Sequence, residues 1–453
     1  MITSSTPSLT EFEPLPQQLE VIKHVRIGAD YTKGTHEVLL SGSVGSAKSI
    51  TLAHIISTHC LFNAGSRVGI GRLALPQLKA TLCQKIREHL FESGIDFFYH
   101  ESTGHFDLPN RAQIRAVSWA DGNLAKLGSM EFSAFAIEEL TETKDPRVYD
   151  VIMQRTNRLP HVKEPWVLSA TNPDSPSHWV YKKIIESKSE KVKVFYSNTY
   201  DNPYLDRSYI DTLKERLDPK MARRMIYGEW VEIDTERLYY SYDKARNYRD
   251  YSYQIKPHLP IILTYDFNIG EGKPLSLVFS QYDTLLDEWH FFNEVIIEGQ
   301  RTLESLDEAF ARGLLNHPAF LVRGDCNGRN KDTRTFSNDY DLIEKFLSKL
   351  KYKDQPVRFK IEVPKSNPAL RERHNVVNAY MLNDAGKSRL FVYKDAPTVD
   401  EGFRLTKLKA SSQYLEDDSD RFQHCTTACG YAIMYELQMR SYFGGTYKQI
   451  GSF

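Results

Sequence analysis

The stretch that decides the fold is Gly42-Ser-Val-Gly-Ser-Ala-Lys48-Ser49. It follows an apolar run, residues 37–41, that predicts a strand, and it precedes residues 50–62, which predict a helix. A tight Gly-containing turn in that setting presents backbone N–H groups and a helix N-terminus to phosphate. Lys48 can reach the β- and γ-phosphate oxygens, and the Ser49 hydroxyl can hold Mg²⁺. The predicted ligand is MgATP, and the predicted phosphate-binding residues are Gly42, Ser43, Val44, Gly45, Ser46, Ala47, Lys48 and Ser49.

Ala47 departs from the GxxxxGK[ST] pattern, which has glycine at this position. If the backbone there requires a positive φ, alanine costs about 1 kcal/mol relative to glycine. The departure weakens the match without abolishing it.

An acid pair ends the apolar run Phe132-Ser-Ala-Phe-Ala-Ile-Glu138-Glu139. A phosphate loop requires a carboxylate beside it, as in a Walker B strand. We expect Glu138 to lie in the metal shell and Glu139 to polarise the attacking water. The alternative is a cluster of acids with Glu142 at a helix N-terminus, where negative charge is favourable.

Length and composition exclude several classes of protein. A chain of 453 residues exceeds the roughly 100–200 residues of one domain, so at least two domains are expected. A net charge of −1 argues against a protein that coats nucleic acid through bulk positive charge. Neither a signal peptide nor a membrane-spanning run is evident, so a cytosolic protein is expected. The five cysteines have scattered spacings that predict reduced thiols rather than disulfides or a zinc site.

The pattern along the chain predicts three parts. Residues 1–170 alternate strands and helices, as in a mainly parallel α/β sheet. Residues 171–234 look helical and basic, which suggests a linker or lid subdomain, and the basic run from Lys182 to Arg224, with Lys220, Arg223 and Arg224 at its end, is expected to lie near DNA or the domain interface. In residues 235–453, strands at 261–266, 275–282 and 288–297, with a hairpin between the last two, precede a further strand at 320–325. This order predicts a mixed-sheet α/β domain.

Further motifs give the chain a resemblance to a known family. The phosphate loop and acid pair occur in one order with Leu15-Pro-Gln-Gln18, Arg72 with Pro76-Gln-Leu-Lys79, Ser169-Ala-Thr-Asn-Pro173, Thr199-Tyr-Asp-Asn-Pro-Tyr-Leu205 and Tyr227-Gly-Glu-Trp230. Each motif alone is weak. Together they resemble the large subunit of the tailed-bacteriophage terminase, over nearly the whole chain.

The resemblance implies a P-loop ATPase domain of the RecA/ASCE type followed by an RNase H-like endonuclease domain. Gln18 would contact adenine, and Ser169, Ala170, Thr171 and Asn172 would couple γ-phosphate loss to movement. A trans-acting arginine is also implied, with Arg72, Arg111 and Arg115 as open candidates.

The family's activity and partners follow from the same resemblance. ATP hydrolysis would drive double-stranded DNA into the procapsid, and the nuclease would cut the concatemeric phage DNA. The implied partners are the small terminase subunit and the portal protein. The chain would be monomeric in solution and would form a ring, a pentamer in the family, when docked on the portal in the host cytoplasm, without membrane contact.

The nuclease resemblance falls on acids at strand ends. Asp266 and Asp325 match the family's metal carboxylates, which hold two Mg²⁺ or Mn²⁺ ions. The family's third acid lies on the last helix, where this chain has Thr427, a neutral residue. We therefore expect Asp420 and His424 to complete the site, with Asp418 as an alternative to Asp420.

Two other functions stay open from the sequence. One is a DNA-binding ATPase whose nuclease domain is degenerate, which Thr427 makes worth considering. The other is a superfamily-two helicase, which would repeat a RecA-like domain in its second half and would lack the two strand-end acids.

Overall fold

The structure is a computed structural model that describes residues 12–122, 124–186, 192–232, 237–268, 273–298, 302–330, 337–409, 415–417 and 422–442. Contacts divide the chain into two compact units. The first comprises Met1–Ile210 and Lys220–Ile233, and the second comprises Asp211–Pro219 and Asp234–Phe453. The predicted division at residues 170 and 234 stays a prediction.

The first unit is built on a sheet whose strand order is β3-β4-β5-β2-β6-β7-β1-β8. Its strands are β1 (His36–Gly42), β2 (Arg67–Arg72), β3 (Phe98–His100), β4 (His105–Asp107), β5 (Gln113–Ser118), β6 (Ala134–Ile137), β7 (Trp166–Thr171) and β8 (Val192–Ser197). The helices before residue 230 are α1 (Pro16–Lys23), α2 (Lys48–Phe62), α3 (Leu75–Leu78), α4 (Gln84–Glu92), α5 (Leu124–Gly128), α6 (Arg147–Arg155), α7 (Arg207–Arg216) and α8 (Pro219–Met225). The pairings among β5, β2, β6, β7, β1 and β8 are all parallel.

Both faces of this sheet are covered. Val38 and Leu40 of β1 pack into one apolar cluster with residues of α2 and α4, whereas Leu39 packs into a second cluster with residues of α6. Parallel strands buried on both faces carry continuous apolar runs, and this explains why β1 and β6 were recognisable in the sequence.

Two features of the first unit differ from the sequence prediction. The antiparallel edge formed by β3, β4 and β5 was not predicted. Strand β8 lies in the segment predicted to be helical, and it pairs with β1 along Glu37–Gly42. Its burial is only partial and alternating, because β8 is an edge strand, and its basic residues hid the strand pattern.

The second unit contains a mixed sheet of order β16-β13-β10-β11-β12-β17-β9. The strands are β9 (Tyr248–Arg249), β10 (Ile261–Asp266), β11 (Leu275–Asp283), β12 (Glu288–Ile297), β13 (Ala319–Gly324), β14 (Lys351–Tyr352), β15 (Gln355–Pro356), β16 (Arg358–Ile361) and β17 (Leu390–Tyr393), with β14 and β15 forming a separate hairpin. The helices after residue 240 are α9 (Lys244–Asn247), α10 (Thr302–Ala311), α11 (Asp339–Leu347), α12 (Leu370–Met381), α13 (Pro397–Leu405) and α14 (Phe422–Tyr442).

The predicted strand arrangement of this unit is confirmed. β10, β11 and β12 are antiparallel neighbours, and β13 lies parallel to β10. Helices α12, α13 and α14 pack on one face of the sheet, and α10 and α11 pack on the other. The predicted architecture is confirmed, with a mainly parallel α/β sheet in the first unit and a mixed α/β sheet in the second.

Two global expectations can be compared with the structure. All five cysteines are free thiols, as predicted. Among the helices of the described ranges, none is long and apolar enough to cross a membrane.

Candidate functional site

The phosphate loop joins β1 to α2 with two residues in the left-handed region. Gly45 has φ +75°, and Ala47 has φ +65° immediately before α2 begins at Lys48. The positive φ considered for Ala47 is therefore present, and alanine adopts it at some cost in strain. The loop carbonyls of Gly42 and Ser43 each accept a 2.7 Å hydrogen bond from Lys48 Nζ.

Lys48 is half-buried within this loop. Burial lowers its pKa to about 8, although the carboxylates of Glu139 and Glu138 oppose the shift. The ammonium group is thus held by carbonyl oxygens and by Asn172 Oδ1 at 3.0 Å, at the place where phosphate oxygens would become its partners.

Glu138 follows β6 and lies against the loop. Its Oε1 accepts a hydrogen bond from Ser49 Oγ at 3.0 Å, and its Oε2 accepts from Thr81 Oγ1. The side chain of Arg72 lies 3.4 Å from Oε2 and forms a bidentate pair with Glu142 at 2.9 and 2.5 Å. A hydroxyl and a buried carboxylate in contact beside a phosphate loop are a donor set that fits Mg²⁺.

Glu139 has a strained backbone, with φ +49°. Burial raises its pKa, while Lys48 and the backbone N–H of Asn172 oppose the shift. Asn172 donates from its side-chain amide to both carboxylate oxygens, at 3.2 and 3.3 Å. Strain and a raised pKa on a carboxylate beside a phosphate loop are typical of a catalytic base.

Asn172 connects the loop lysine to the acid. The same side-chain amide accepts from Lys48 and donates to Glu139, so a change at either group is felt by the other. Thr171, one residue earlier, is hydrogen-bonded to Thr141 through their hydroxyls at 2.6 Å. The segment Ser169–Asn172 was recognisable in the sequence, but the hydrogen-bonded link from Lys48 through Asn172 to Glu139 was not. Ser169 and Ala170 are buried within β7.

In the second unit, Asp266 and Asp325 follow neighbouring parallel strands. Tyr265 pairs with Gly324 in the register of β10 and β13, so the two acids occupy equivalent positions at one sheet edge. Both side chains are buried. Burial raises the pKa of Asp266, hydrogen bonds from His424 and Asn268 oppose the shift, and the nearby Asp325 adds to it.

His424 lies beside Asp266. Its Nδ1 is 2.9 Å from Asp266 Oδ2, which fixes the imidazole orientation. Its Nε2 is buried and has no hydrogen-bond partner among the described residues. A metal-binding histidine commonly donates its other ring N–H to a carboxylate, so this orphaned nitrogen fits a metal ligand.

Asp325 is held by amide groups. Its Oδ1 accepts from the Asn327 backbone N–H and from Asn367 Nδ2, both at 2.8 Å. Asp420 and Asp418, the predicted additional acids, lie outside the described residues. Within the described ranges, no group of three or more His, Cys, Asp or Glu side chains is arranged to hold a metal ion.

Thr427 is part of a buried polar network that the sequence did not predict. Its hydroxyl lies 3.0 Å from Glu416 Oε2 and 2.8 Å from Gln423 Nε2. Glu416 also accepts 2.5 Å hydrogen bonds from Arg373 and His374. A carboxylate already neutralised by a guanidinium is a poor metal ligand, so Glu416 does not replace the family's missing acid.

Comparisons with known proteins agree with this fold. Residues 34–229 match the family model described as phage terminase large subunit. The resemblance to phage large terminases is confirmed. The large terminase of a thermophilic bacteriophage superimposes with a TM-score of 0.65 at 12% identity, covering 94% of this chain and 100% of the other. No curated protein sequence matches the chain.

Two other structures of the large terminase from that thermophilic bacteriophage are solved with nucleotides. The complex with ADP has a TM-score of 0.63, and the complex with ATP-gamma-S has a TM-score of 0.62. Both are 13% identical and cover 93% of this chain and 98% of theirs. At this identity the likeness establishes the fold, and the family match supports a role in phage DNA packaging.

The terminase-like segments after β8 contact the phosphate loop. Asn202 Nδ2 donates to the Gly45 carbonyl at 2.7 Å, and the Val44 backbone N–H donates to Met225 at 3.0 Å. Gln18 Nε2 donates to the Ala47 carbonyl at 3.3 Å. The segments around Gln18, Asn202 and Met225 therefore converge on one loop, although they are far apart in the sequence. Two of these segments also contact each other, since Gln17 Nε2 donates to the Asp201 carbonyl across 184 residues of sequence.

The structure also shows where the three candidate trans-acting arginines and the end of the basic run lie. Arg72 pairs with acids of its own chain, and Arg115 lies 3.5 Å from Asp107, while Arg111 adopts φ +66°. Arg224 is 3% exposed and donates to Asp174 at 2.7 Å. The guanidinium of Arg224 therefore lies in the interior of the first unit, and the placement of the basic run near DNA or the domain interface stays a prediction.

Proposed function

We propose that the chain is an ATP-driven double-stranded DNA translocase joined to a metal-dependent endonuclease, the two activities of a DNA-packaging motor. The observation that carries the ATPase is the continuous hydrogen-bonded path from Lys48 through Asn172 to Glu139. The nucleotide complexes of the thermophilic phage's large terminase support ATP as the ligand here.

Each residue of the first site has a role in the proposed hydrolysis. Lys48 releases the carbonyls of Gly42 and Ser43 and binds phosphate oxygens of ATP, because an ammonium group prefers an anionic partner. Glu139, whose pKa is raised, accepts the proton of the attacking water. Ser49 and Glu138 would hold Mg²⁺, which neutralises charge on the phosphate oxygens.

Asn172 makes this site responsive to the γ-phosphate. When Lys48 turns to phosphate, Asn172 loses one acceptor contact and keeps its bonds to Glu139. The proposed consequence is a shift of Ser169–Asn172 that is passed to the DNA contacts. Those contacts are made to phosphates, since packaging must be largely independent of sequence.

In the second unit, Asp420 would complete a site for Mg²⁺ or Mn²⁺ with Asp266, Asp325 and His424, since these three described side chains do not form a metal-binding group by themselves. The metal, when bound, would activate water and stabilise the leaving 3′ oxygen. The chain's own contribution is orientation, since Asn367 and Asn327 fix Asp325, and Asn268 and His424 fix Asp266. The proposed partners are concatemeric phage DNA, the small terminase subunit and the portal protein, and the proposed working form is a ring docked on the portal in the host cytoplasm.

The ATPase is tested with Lys48→Ala and Glu139→Gln in the full chain. Loss of a charge stabiliser or base should lower ATP turnover by about 10²–10⁴-fold. Lys85→Ala and Glu88→Gln, at a surface ion pair in the same unit, are the matched controls. Turnover near wild type in either site variant would contradict the assignment.

The nuclease is tested with Asp266→Ala, Asp325→Ala and Asp420→Ala in a Mn²⁺-dependent plasmid-nicking assay. Each should eliminate cleavage while ATP turnover persists, whereas Asp307→Ala, at an exposed position of α10, should cut normally. A degenerate nuclease is the second candidate function, favoured by the neutral Thr427 and its bond to Glu416. It predicts that the wild-type chain fails to cut with either metal.

A further inference from the structure

The helical segment after β2 contains a π-helical turn. α3 leads directly into a π turn at Lys79–Cys83, and α4 continues from its end. Such a turn accommodates one residue more than an α-helical turn, is rare, and occurs frequently at functional sites. Leu78 before the π turn and Ile86 after it are fully buried in the same apolar cluster, so the helix keeps its core contacts on both sides of the irregularity.

Thr81 lies in this π turn and contacts the acid pair. Its Oγ1 donates to Glu138 Oε2, while Ser49 Oγ donates to Oε1 of the same carboxylate at 3.0 Å. Arg72 Nη1 lies 3.4 Å from both Glu138 Oε2 and Thr81 Oγ1. Glu138 is 3% exposed, and side chains from three different elements fix its two oxygens.

Two acceptor oxygens lie within hydrogen-bond distance of the Thr81 hydroxyl. It carries one hydrogen and also lies 2.7 Å from the carbonyl oxygen of Gln77, one turn earlier. An ionised carboxylate is a stronger acceptor than a peptide carbonyl, so the hydrogen goes to Glu138 while that group is charged. The bidentate pair between Arg72 and Glu142 keeps a positive charge beside the carboxylate.

We propose that Thr81 is a positioning residue of the ATPase site, which holds Glu138 in the orientation that receives the nucleotide's metal ion together with Ser49. This inference rests on the proposed ATPase and adds a residue from the helical segment after β2. A hydrogen-bond partner behind a metal ligand orients that ligand, and its loss typically lowers metal affinity or activity by about 10–100-fold.

The test compares Thr81→Val, which removes the hydroxyl at constant shape, with Thr81→Ser, which keeps it. Thr58→Val is the matched control, because among the described residues the Thr58 hydroxyl donates to carbonyls of its own helix alone, at 2.8 and 3.2 Å. Two quantities are measured for the full chain, the Mg²⁺ concentration at half-maximal ATP turnover and the affinity for fluorescent ADP in EDTA.

Thr81→Val should raise the half-maximal Mg²⁺ concentration by about 10-fold and leave ADP affinity in EDTA unchanged. Thr81→Ser and Thr58→Val should resemble the wild type in both measurements. Thr81→Ala is the second variant should valine disturb folding, with the same expected shift.

Two results overturn the role of Thr81. One is an unchanged Mg²⁺ dependence in Thr81→Val, and the other is an equal loss of metal-free ADP binding, which would indicate a general disturbance of the loop. A wild-type chain without Mg²⁺-dependent hydrolysis would overturn the ATPase proposal itself, and the role of Thr81 with it.

Discussion

Replacing Ala47 by glycine should stabilise the first unit. Ala47 has φ +65° and ψ +20°, a left-handed conformation that costs a residue with a Cβ about 1–2 kcal/mol. Glycine in turn loses more backbone entropy on folding, about 0.5–1 kcal/mol, and the half-buried methyl group contributes a few tenths more. The net expected gain is about 0.5 kcal/mol, which raises the unfolding temperature by roughly 1–2 °C for a unit of this size.

The assay is calorimetric unfolding of the full-length chain, with Ala125→Gly as the matched control. Ala125 is exposed in α5 of the same unit and has a negative φ, so glycine there should lower the unfolding temperature. The two Ala→Gly changes should therefore shift the same transition in opposite directions. A decrease for Ala47→Gly as large as that for Ala125→Gly would refute the reasoning about backbone strain.

Three further predictions concern buried charges. Arg224→Met should lower stability by about 1–3 kcal/mol, because it removes the guanidinium that donates to Asp174 and to the Val231 carbonyl. It should not alter the salt dependence of DNA binding, and a changed salt slope would place Arg224 at the DNA after all. Thr427→Asp should destabilise the second unit, because the new carboxylate would face Glu416. In the double variant, Glu416→Gln should restore part of the lost stability, so additive losses in denaturant unfolding would contradict an interaction between the two positions. Burial alone would raise the pKa of Glu416, but Arg373 outweighs burial and holds that pKa well below its ordinary value of 4.5. The stabilisation that the Glu416 carboxylate contributes is therefore present above pH 4.5 and is lost on acidification. The difference in unfolding free energy between wild type and Glu416→Gln should accordingly shrink below pH 4.

The prediction for Thr427→Asp differs from what the family resemblance alone implies. From the resemblance alone, Thr427→Asp would restore the family's acid and preserve or raise cleavage. The structure places Thr427 in a closed network with Glu416 and Gln423, so an added charge meets an existing one. Comparing cleavage and unfolding of the same variant separates loss of the site from loss of the fold.

The elements recognised from sequence are those whose cause lies in adjacent residues. The apolar run of β1, the turn at Gly42–Ala47 and α2 were predictable, because strand burial, turn geometry and helix periodicity are properties of short segments. The same holds for β10 and β13, whose apolar runs end at Asp266 and Asp325. Edge strands such as β8 were missed, since partial burial leaves little apolar pattern to detect.

The partners within each site were decided by tertiary structure. Asn172 reaches Lys48 across 124 residues of sequence, and Thr81 reaches Glu138 across 57, because parallel strands bring their carboxyl ends to one edge whatever lies between them. Glu416 meets Thr427 across 11 residues of sequence, a contact that no local pattern specifies. The amino-acid sequence thus determined which groups can bind phosphate and metal, and strand register and helix packing determined which neighbours orient and charge them.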